Sequence, residues 1–287
     1  LTDGTGLVLT LDFFTPLVDD PGDWGRIAAA NALSDVYAMG GSPRLALNVA
    51  GWPVDELPLE LLAEVLAGAR QIVLEAGAAV VGGHTITTER EPLFGMVAIG
   101  FVETDAIVRN STARPGMHLY LSKPIGTGLI TTAIKRGQTD EDVARLAVTT
   151  MTALNADASE AMVAAGVGAG TDVTGFGLLG HLRKMLEASG CAAIVSADSV
   201  PLLPTVLDLA RRDIVAGGTK RNHAWLQEVT EWGELTPPEQ VVLADAQTSG
   251  GLLVASDRSL SMELFTQIGE VVPGPPGSIT VTGRVRE

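Results

Sequence analysis

Carboxylates set among apolar residues are the first sign of chemistry in this sequence. Asp12 stands in LVLTLDFFTP, between strand-forming residues and two phenylalanines, and no Lys or Arg occurs before Arg26. Asp35 stands in NALSDVYAMGG, so a helix there sets it near a buried stripe of Ile27, Leu33 and Met39. A lone buried carboxylate is costly unless it is neutralised or paired. Two readings of Asp35 stand. Either it caps a turn or pairs with Arg26, or it joins Asp12 as an oxygen ligand for Mg²⁺, whose shell is completed by phosphate oxygens and water. Asp19, Asp20 and Asp23, in VDDPGDWG, have turn composition, and acids ahead of a helix favour its N-terminal dipole.

Three further stretches bear on ligands. In VVGGHTITTEREP an apolar strand runs into Gly82, Gly83, His84 and Thr85. Glycines there let backbone N–H groups approach a phosphate or nucleotide, although Gly-Gly is also a common turn and a lone His is usually structural. In GTDVTGFGLLGHL the Gly175-Phe176-Gly177 turn frees N–H groups at a helix start, with Asp172 near enough to hold a metal bound to an anion there. An Asp or Thr cap with no ligand is the alternative. AGGTKRNHAW and DAQTSGGLLVAS both join hydroxyl residues to paired glycines. Lys220 and Arg221 in the first serve either a phosphate or a solvated surface. Cys191 behaves as a small hydrophobe on a strand. No dinucleotide fingerprint and no Gly-Lys-Ser/Thr phosphate loop occurs.

These residues need a scaffold, and 287 residues with 46% hydrophobic content are enough for one large or two medium domains. A formal charge of -15 argues against a nucleic-acid surface, so an anionic ligand must be met by metal ions or backbone N–H groups. The single cysteine excludes an intrachain disulfide and fits a reducing compartment. No apolar run is long enough for a membrane helix. Hydrophobic periodicity predicts a strand at LVLTLDFF, a helix ending at Gly40-Gly41, a strand at RLALNVAGWP, a helix ending at Gly77, and strands at AAVVGG and LFGMVAIGFV. Polar RNSTARPG, 109–116, is the expected linker between an N-terminal domain, 1–108, and a C-terminal α/β domain, 117–287. Beyond it the pattern gives a strand at HLYLSKP, two helical stretches up to about Ala165, a helix from near Gly177, and scattered short strands.

In colinear order, TLDFFTPLVDDPGDWGRIAAANALSDVYAMGGSP, GWP, GGHTI, TDVTGFGLLGHL, AGGTKRN and QTSGGLL resemble selenophosphate synthetase, or selenide, water dikinase, over nearly the whole chain. DFFTPLVDDP with NALSDVYAMGG separates that family from the aminoimidazole ribonucleotide synthases, thiamine-monophosphate kinases and hydrogenase-maturation proteins of its superfamily. The resemblance implies a two-domain α/β (α+β) protein of the aminoimidazole ribonucleotide synthase type, its N-terminal mixed sheet forming the core of a cytoplasmic homodimer, with neither nucleic-acid nor membrane partners. It implies conversion of ATP, selenide and water to selenophosphate, AMP and phosphate with Mg²⁺. By motif, Asp12 and Asp35 contact ATP phosphates and metal, and Asp172 is a further Mg²⁺ ligand. Gly83, His84 and Thr85 form a nucleotide-binding turn contributed across the dimer, and Thr219 and Asn222 are phosphate contacts.

One part of the family pattern has no match. The family's reactive Cys or selenocysteine, the Lys three residues later and another metal-binding Asp belong upstream of Leu1, and neither Asp3 nor Cys191 takes their place. The expectation is a truncated portion, impaired by itself in the full reaction, with no catalytic residue of that segment in the chain. A non-catalytic Mg-ATP-binding regulatory homologue and a small-molecule kinase of the same superfamily are the alternatives.

Overall fold

In the computed structural model, residues 1 and 4–286 are described, and Asp3 lies outside the described residues. The chain forms two units, one of residues 1–107 with 151–156, the other of 108–150 with 157–287.

The first unit runs β1 (Thr5–Phe14), α1 (Pro21–Ala38), β2 (Ser42–Trp52), α2 (Leu59–Glu75), β3 (Ala79–Thr87) and β4 (Leu93–Glu103). Its sheet has the order β1-β4-β2-β3 and is mixed, with β2 and β3 parallel and the other pairs antiparallel. Asp20 is the N-cap of helix α1 and accepts from the Asp23 N–H at 2.7 Å, with Pro21 in the first turn, so Asp23, expected ahead of the helix, lies inside it. From Trp24 to Ala38 every residue is buried except Arg26 and Asp35. The expected stripe is therefore a nearly continuous buried surface, and Met39, at the C-cap, is exposed rather than part of it. Trp24 stacks on Trp52 at 6.5 Å and meets the edge of Phe94 at 6.1 Å, locking α1 to the sheet. Against α2 the approach is backbone to backbone. A Cβ on Gly25 would lie 2.0 Å from the Val65 carbonyl oxygen, and one on Gly68 would lie 2.1 Å from that of Gly22. These two glycines fix the depth at which α1, and so Asp35, sits.

The second unit runs β5 (His118–Leu121), α3 (Thr127–Lys135), α4 (Glu141–Thr152), α5 (Ala156–Ala164), β6 (Ala169–Asp172), α6 (Gly177–Ser189), β7 (Ala192–Ser196), α7 (Val206–Arg211), α8 (Gly217–Leu226), β8 (Thr230–Glu231), α9 (Pro237–Leu243), β9 (Leu252–Ser256), β10 (Thr266–Val272) and β11 (Ile279–Thr282). The scattered strands assemble into one mixed seven-stranded sheet, β6-β9-β5-β10-β7-β11-β8. Three helices, not two, precede Ala165, because Gly137 and the Ala153–Asn155 segment each break the helical run. Cys191 is buried beside β7 as a free thiol. No helix of the described residues is long and apolar enough to cross a membrane.

Candidate active site

Side chains alternate along β1, and the alternation separates a partly buried face carrying Asp12 from an exposed apolar one. Val8, Thr10, Asp12 and Phe14 share one face, and Leu7, Leu9, Leu11 and Phe13 share the other. The first face meets α1, since the Thr10 hydroxyl donates to the Asp35 carboxylate. Arg26, the first basic residue of the sequence, pairs instead with Asp23. The pairing of Asp35 with Arg26 that the sequence left open is therefore not what the fold adopts.

Burial, and after it the charge of Asp35, push the Asp12 carboxyl up to about 6. Two carboxylates held close enough to repel, one taking a hydroxyl hydrogen bond, form an all-oxygen donor set, the chemistry a hard cation such as Mg²⁺ prefers. Among the described residues no three His, Cys, Asp or Glu side chains gather as a ready-made metal group. The pair thus fits a cation that takes a few protein carboxylates and draws its other ligands from phosphate and water.

Across the sheet the same row continues. Asp12 lies opposite Met96 on β4, Met96 opposite Asn48 on β2, and Asn48 opposite Gly83 on β3. The Asn48 Oδ1 is buried with no hydrogen-bond partner among the described residues. Gly83 is required by packing, because a Cβ there would lie 2.4 Å from the Asn48 carbonyl oxygen. Gly83, His84 and Thr85 are not a turn: β3 runs unbroken through them to Thr87, and all three are exposed. A polar residue inside RLALNVAGWP was the available signal for Asn48, and the sequence reading passed over it.

In the second unit Asp172 ends β6 and is 4% exposed. Leu252, at the start of β9, pairs with Asp172 on one side and exchanges hydrogen bonds with Ser122 on the other, 2.7 Å to its hydroxyl and 3.1 Å to its N–H. Lys123 follows, 9% exposed, its ammonium donating to the Ser249 carbonyl at 3.0 Å. Helix α6 begins at Gly177, whose φ of 70° and a Cβ position 2.6 Å from the Asp245 carbonyl oxygen both demand glycine. The Thr174 N–H donates to His181 Nε2 at 3.0 Å, and burial holds that imidazole neutral by lowering its pKa to about 4.

Thr219 and Asn222 face inward. Thr219 is fully buried, donating its hydroxyl to Asp245 at 2.8 Å and accepting the Ala246 N–H at 3.1 Å, so it has no surface for a phosphate. Asn222 donates to the carbonyls of Gly175 and Ala244 at 2.9 and 3.3 Å. Asp245, which accepts the Thr219 hydroxyl, is a residue the sequence reading missed. Its carboxylate also accepts the Gly128 and Leu129 N–H groups at the start of α3, each at 3.1 Å, and the Gln247 amide at 3.0 Å. Lys220 pairs with Asp213 at 2.9 Å on the surface.

Two domains of this build, each with a mixed sheet, define the class. Residues 1–102 match the N-terminal domain of AIR synthase related proteins, and residues 114–282 match the C-terminal domain. Solved structures of like fold include a hydrogenase maturation protein, HypE, from E. coli (TM-score 0.78, 19% identity, covering 98% of this chain and 84% of that one). Another is thiamine monophosphate kinase from Aquifex aeolicus (0.73, 19%, covering 98% and 89%). Within that class, proteins named selenide, water dikinase from Shewanella sp. strain MR-7 and Shewanella baltica strain OS155 are each 44% identical over 92% of this chain and 74% of their own length. The chain belongs to the selenide, water dikinase family.

Proposed function

We propose that this chain forms the ATP-binding and metal-binding body of a selenide, water dikinase, which converts ATP, selenide and water to selenophosphate, AMP and phosphate. The identity to the Shewanella enzymes over 92% of the chain carries the reading. The Asp12 and Asp35 pair supports it, being a donor set suited to a metal-bound triphosphate in a protein of charge -15. In this reading Asp12 and Asp35 hold Mg²⁺ and orient the ATP phosphates, and the Asn48 amide, Gly83, His84 and Thr85 line the nucleotide from the β2–β3 side. Asp172 is a further Mg²⁺ ligand. Thr219 and Asn222 act at one remove, fixing the Gly175 and Asp245 loops. Bound Mg²⁺ supplies positive charge that the residues themselves lack, drawing electron density from the phosphoryl group in transfer. The reaction belongs in the cytoplasm, which a lone buried thiol suits.

The outward face of the first sheet supports a homodimer. Leu9 is 60% and Phe13 51% exposed, and Leu7, Leu11, Leu45 and Phe101 continue the same apolar surface across β1, β4 and β2. A contiguous apolar sheet face of this kind marks a contact site rather than a solvated surface. Leu9→Glu is expected to yield monomer in sedimentation velocity where the wild type sediments as a dimer. A variant that remains dimeric contradicts this use of the face.

Product analysis of the full-length protein supplied with ATP, selenide and Mg²⁺ tests the function. AMP and phosphate are expected. ADP indicates a small-molecule kinase, and nucleotide binding without turnover indicates a regulatory homologue; either overturns the proposal.

A further inference from the structure

The second sheet has two unlike faces. Along β7, Ala193 and Val195 are buried, whereas Ile194 and Ser196 are only half-buried. Register carries the more open face across the neighbouring strands, since Ile194 lies opposite Glu270 on β10 and Glu270 opposite His118 on β5. A cleft of about 370 Å³ opens there. Gly269 lines it, where β10 shifts register between Gln267 and Gly269, and a Cβ on Gly269 would lie 2.1 Å from the Ile194 carbonyl oxygen. Ser199, at the end of the short 3₁₀ helix Ala197–Ser199 that follows β7, joins Ser196 in the lining.

The chemistry of the lining narrows what it can hold. No Lys or Arg faces the cleft, so it is not built for a phosphate. Ile194 is its only apolar side chain, too little for a hydrophobic ligand. One imidazole and one carboxylate fall short of a metal site, and no three His, Cys, Asp or Glu side chains gather among the described residues. Glu270 makes no ion pair among the described residues, so its charge is uncompensated. The Gln267 amide nitrogen stands 3.1 Å from His118 Nδ1 and can only donate, which leaves the ring N–H of His118 at Nε2. The cleft therefore combines one anionic acceptor with three neutral donors, the His118 N–H and the two serine hydroxyls.

We propose that this cleft binds a free α-amino acid by its main-chain atoms: the Glu270 carboxylate takes the ammonium group, and the Ser196 and Ser199 hydroxyls with the His118 N–H take the carboxylate. Neutral donors suit a carboxylate that carries its own counter-charge, and the volume lies at the small end of ligand pockets. The cleft shares no residue with the nucleotide reading above, and the inference does not rest on it.

The test is calorimetric titration of the full chain with L-serine, with ethanolamine, which lacks the carboxylate, and with 3-hydroxypropionate, which lacks the ammonium. L-Serine is expected to bind saturably and at least about tenfold more tightly than either one-ended analogue. Glu270→Gln, at an exposed position, is expected to weaken L-serine at least about tenfold while leaving 3-hydroxypropionate unchanged. Ser196→Ala combined with Ser199→Ala is expected to weaken L-serine and 3-hydroxypropionate while leaving ethanolamine unchanged, and the single variants serve if the pair does not fold. The ¹⁵N signals of the His118 ring are expected to shift with L-serine occupancy, which locates the binding. No saturable binding, ethanolamine as tight as L-serine, L-serine affinity indifferent to Glu270→Gln, or His118 signals that do not move would each overturn the inference.

Discussion

Asp12→Asn is expected to stabilise the metal-free protein while abolishing its Mg²⁺-dependent hold on ATP. The Asp12 carboxyl is raised from 3.8 to about 6, first by burial and then by Asp35. A carboxyl that binds its proton more tightly in the fold than in the unfolded chain stabilises the fold at low pH. That contribution is present below the unfolded value and is lost as pH rises through about 6. Metal-free wild type should thus lose melting temperature between about pH 4 and pH 7 relative to Asp12→Asn. Asp12 is partly exposed, and water screens the repulsion, so the difference at neutral pH amounts to about 1 kcal/mol, a few degrees. Function moves the other way. With Asp12 as one of two oxygen ligands for Mg²⁺, as proposed, its loss should lower turnover by roughly a hundredfold or more. Thermal melts across this pH range, with and without Mg²⁺, separate the two effects. A variant both less stable and less active would mean that Asp12 is a structural carboxylate.

The largest loss of stability is expected at Asp245→Ala. Four donors converge on that carboxylate from the start of α3, from Thr219 and from Gln247. Burial pushes its carboxyl up to about 7, and all four hydrogen bonds pull it back down. Deleting it orphans buried N–H and O–H groups and releases Thr219, which in turn holds the Ala246 N–H. Removing one side of such a network costs about 3–5 kcal/mol. In urea the midpoint should fall with the slope unchanged, and Thr219→Val should give a smaller loss in the same sense. A change under about 1 kcal/mol would show that the network is redundant.

Much of this was legible in the sequence because periodicity and composition act locally. The end of helix α1 at Gly40-Gly41 and the strand at LVLTLDFF could be read, since helix stops and side-chain direction are properties of neighbouring residues. What the sequence hid came from distance. Asp245, Thr219 and Gly128 are far apart in the chain, and nothing in DAQTSGG tells that its Asp points inward to the start of α3 rather than outward to a phosphate. Asn48 faces Gly83 only because β2 and β3 pair in parallel with a register shift near Leu47. A nucleotide-binding turn at Gly83, His84 and Thr85 is what the family resemblance implies. The fold instead uses Gly83 to bring two strand backbones together, which no local pattern reveals. Met39 fell outside the stripe for a simpler reason, since the helix ends one residue before it.

Asp12 and Asp35 are proposed to hold the metal through which this family member uses ATP. The most direct test is selenide-dependent AMP formation by the full-length protein, wild type beside Asp35→Asn, with folding of both checked by thermal melts. AMP is expected from the wild type, with a loss of at least about a hundredfold in the folded variant. An Asp35→Asn protein that forms AMP at the wild-type rate would contradict the proposal.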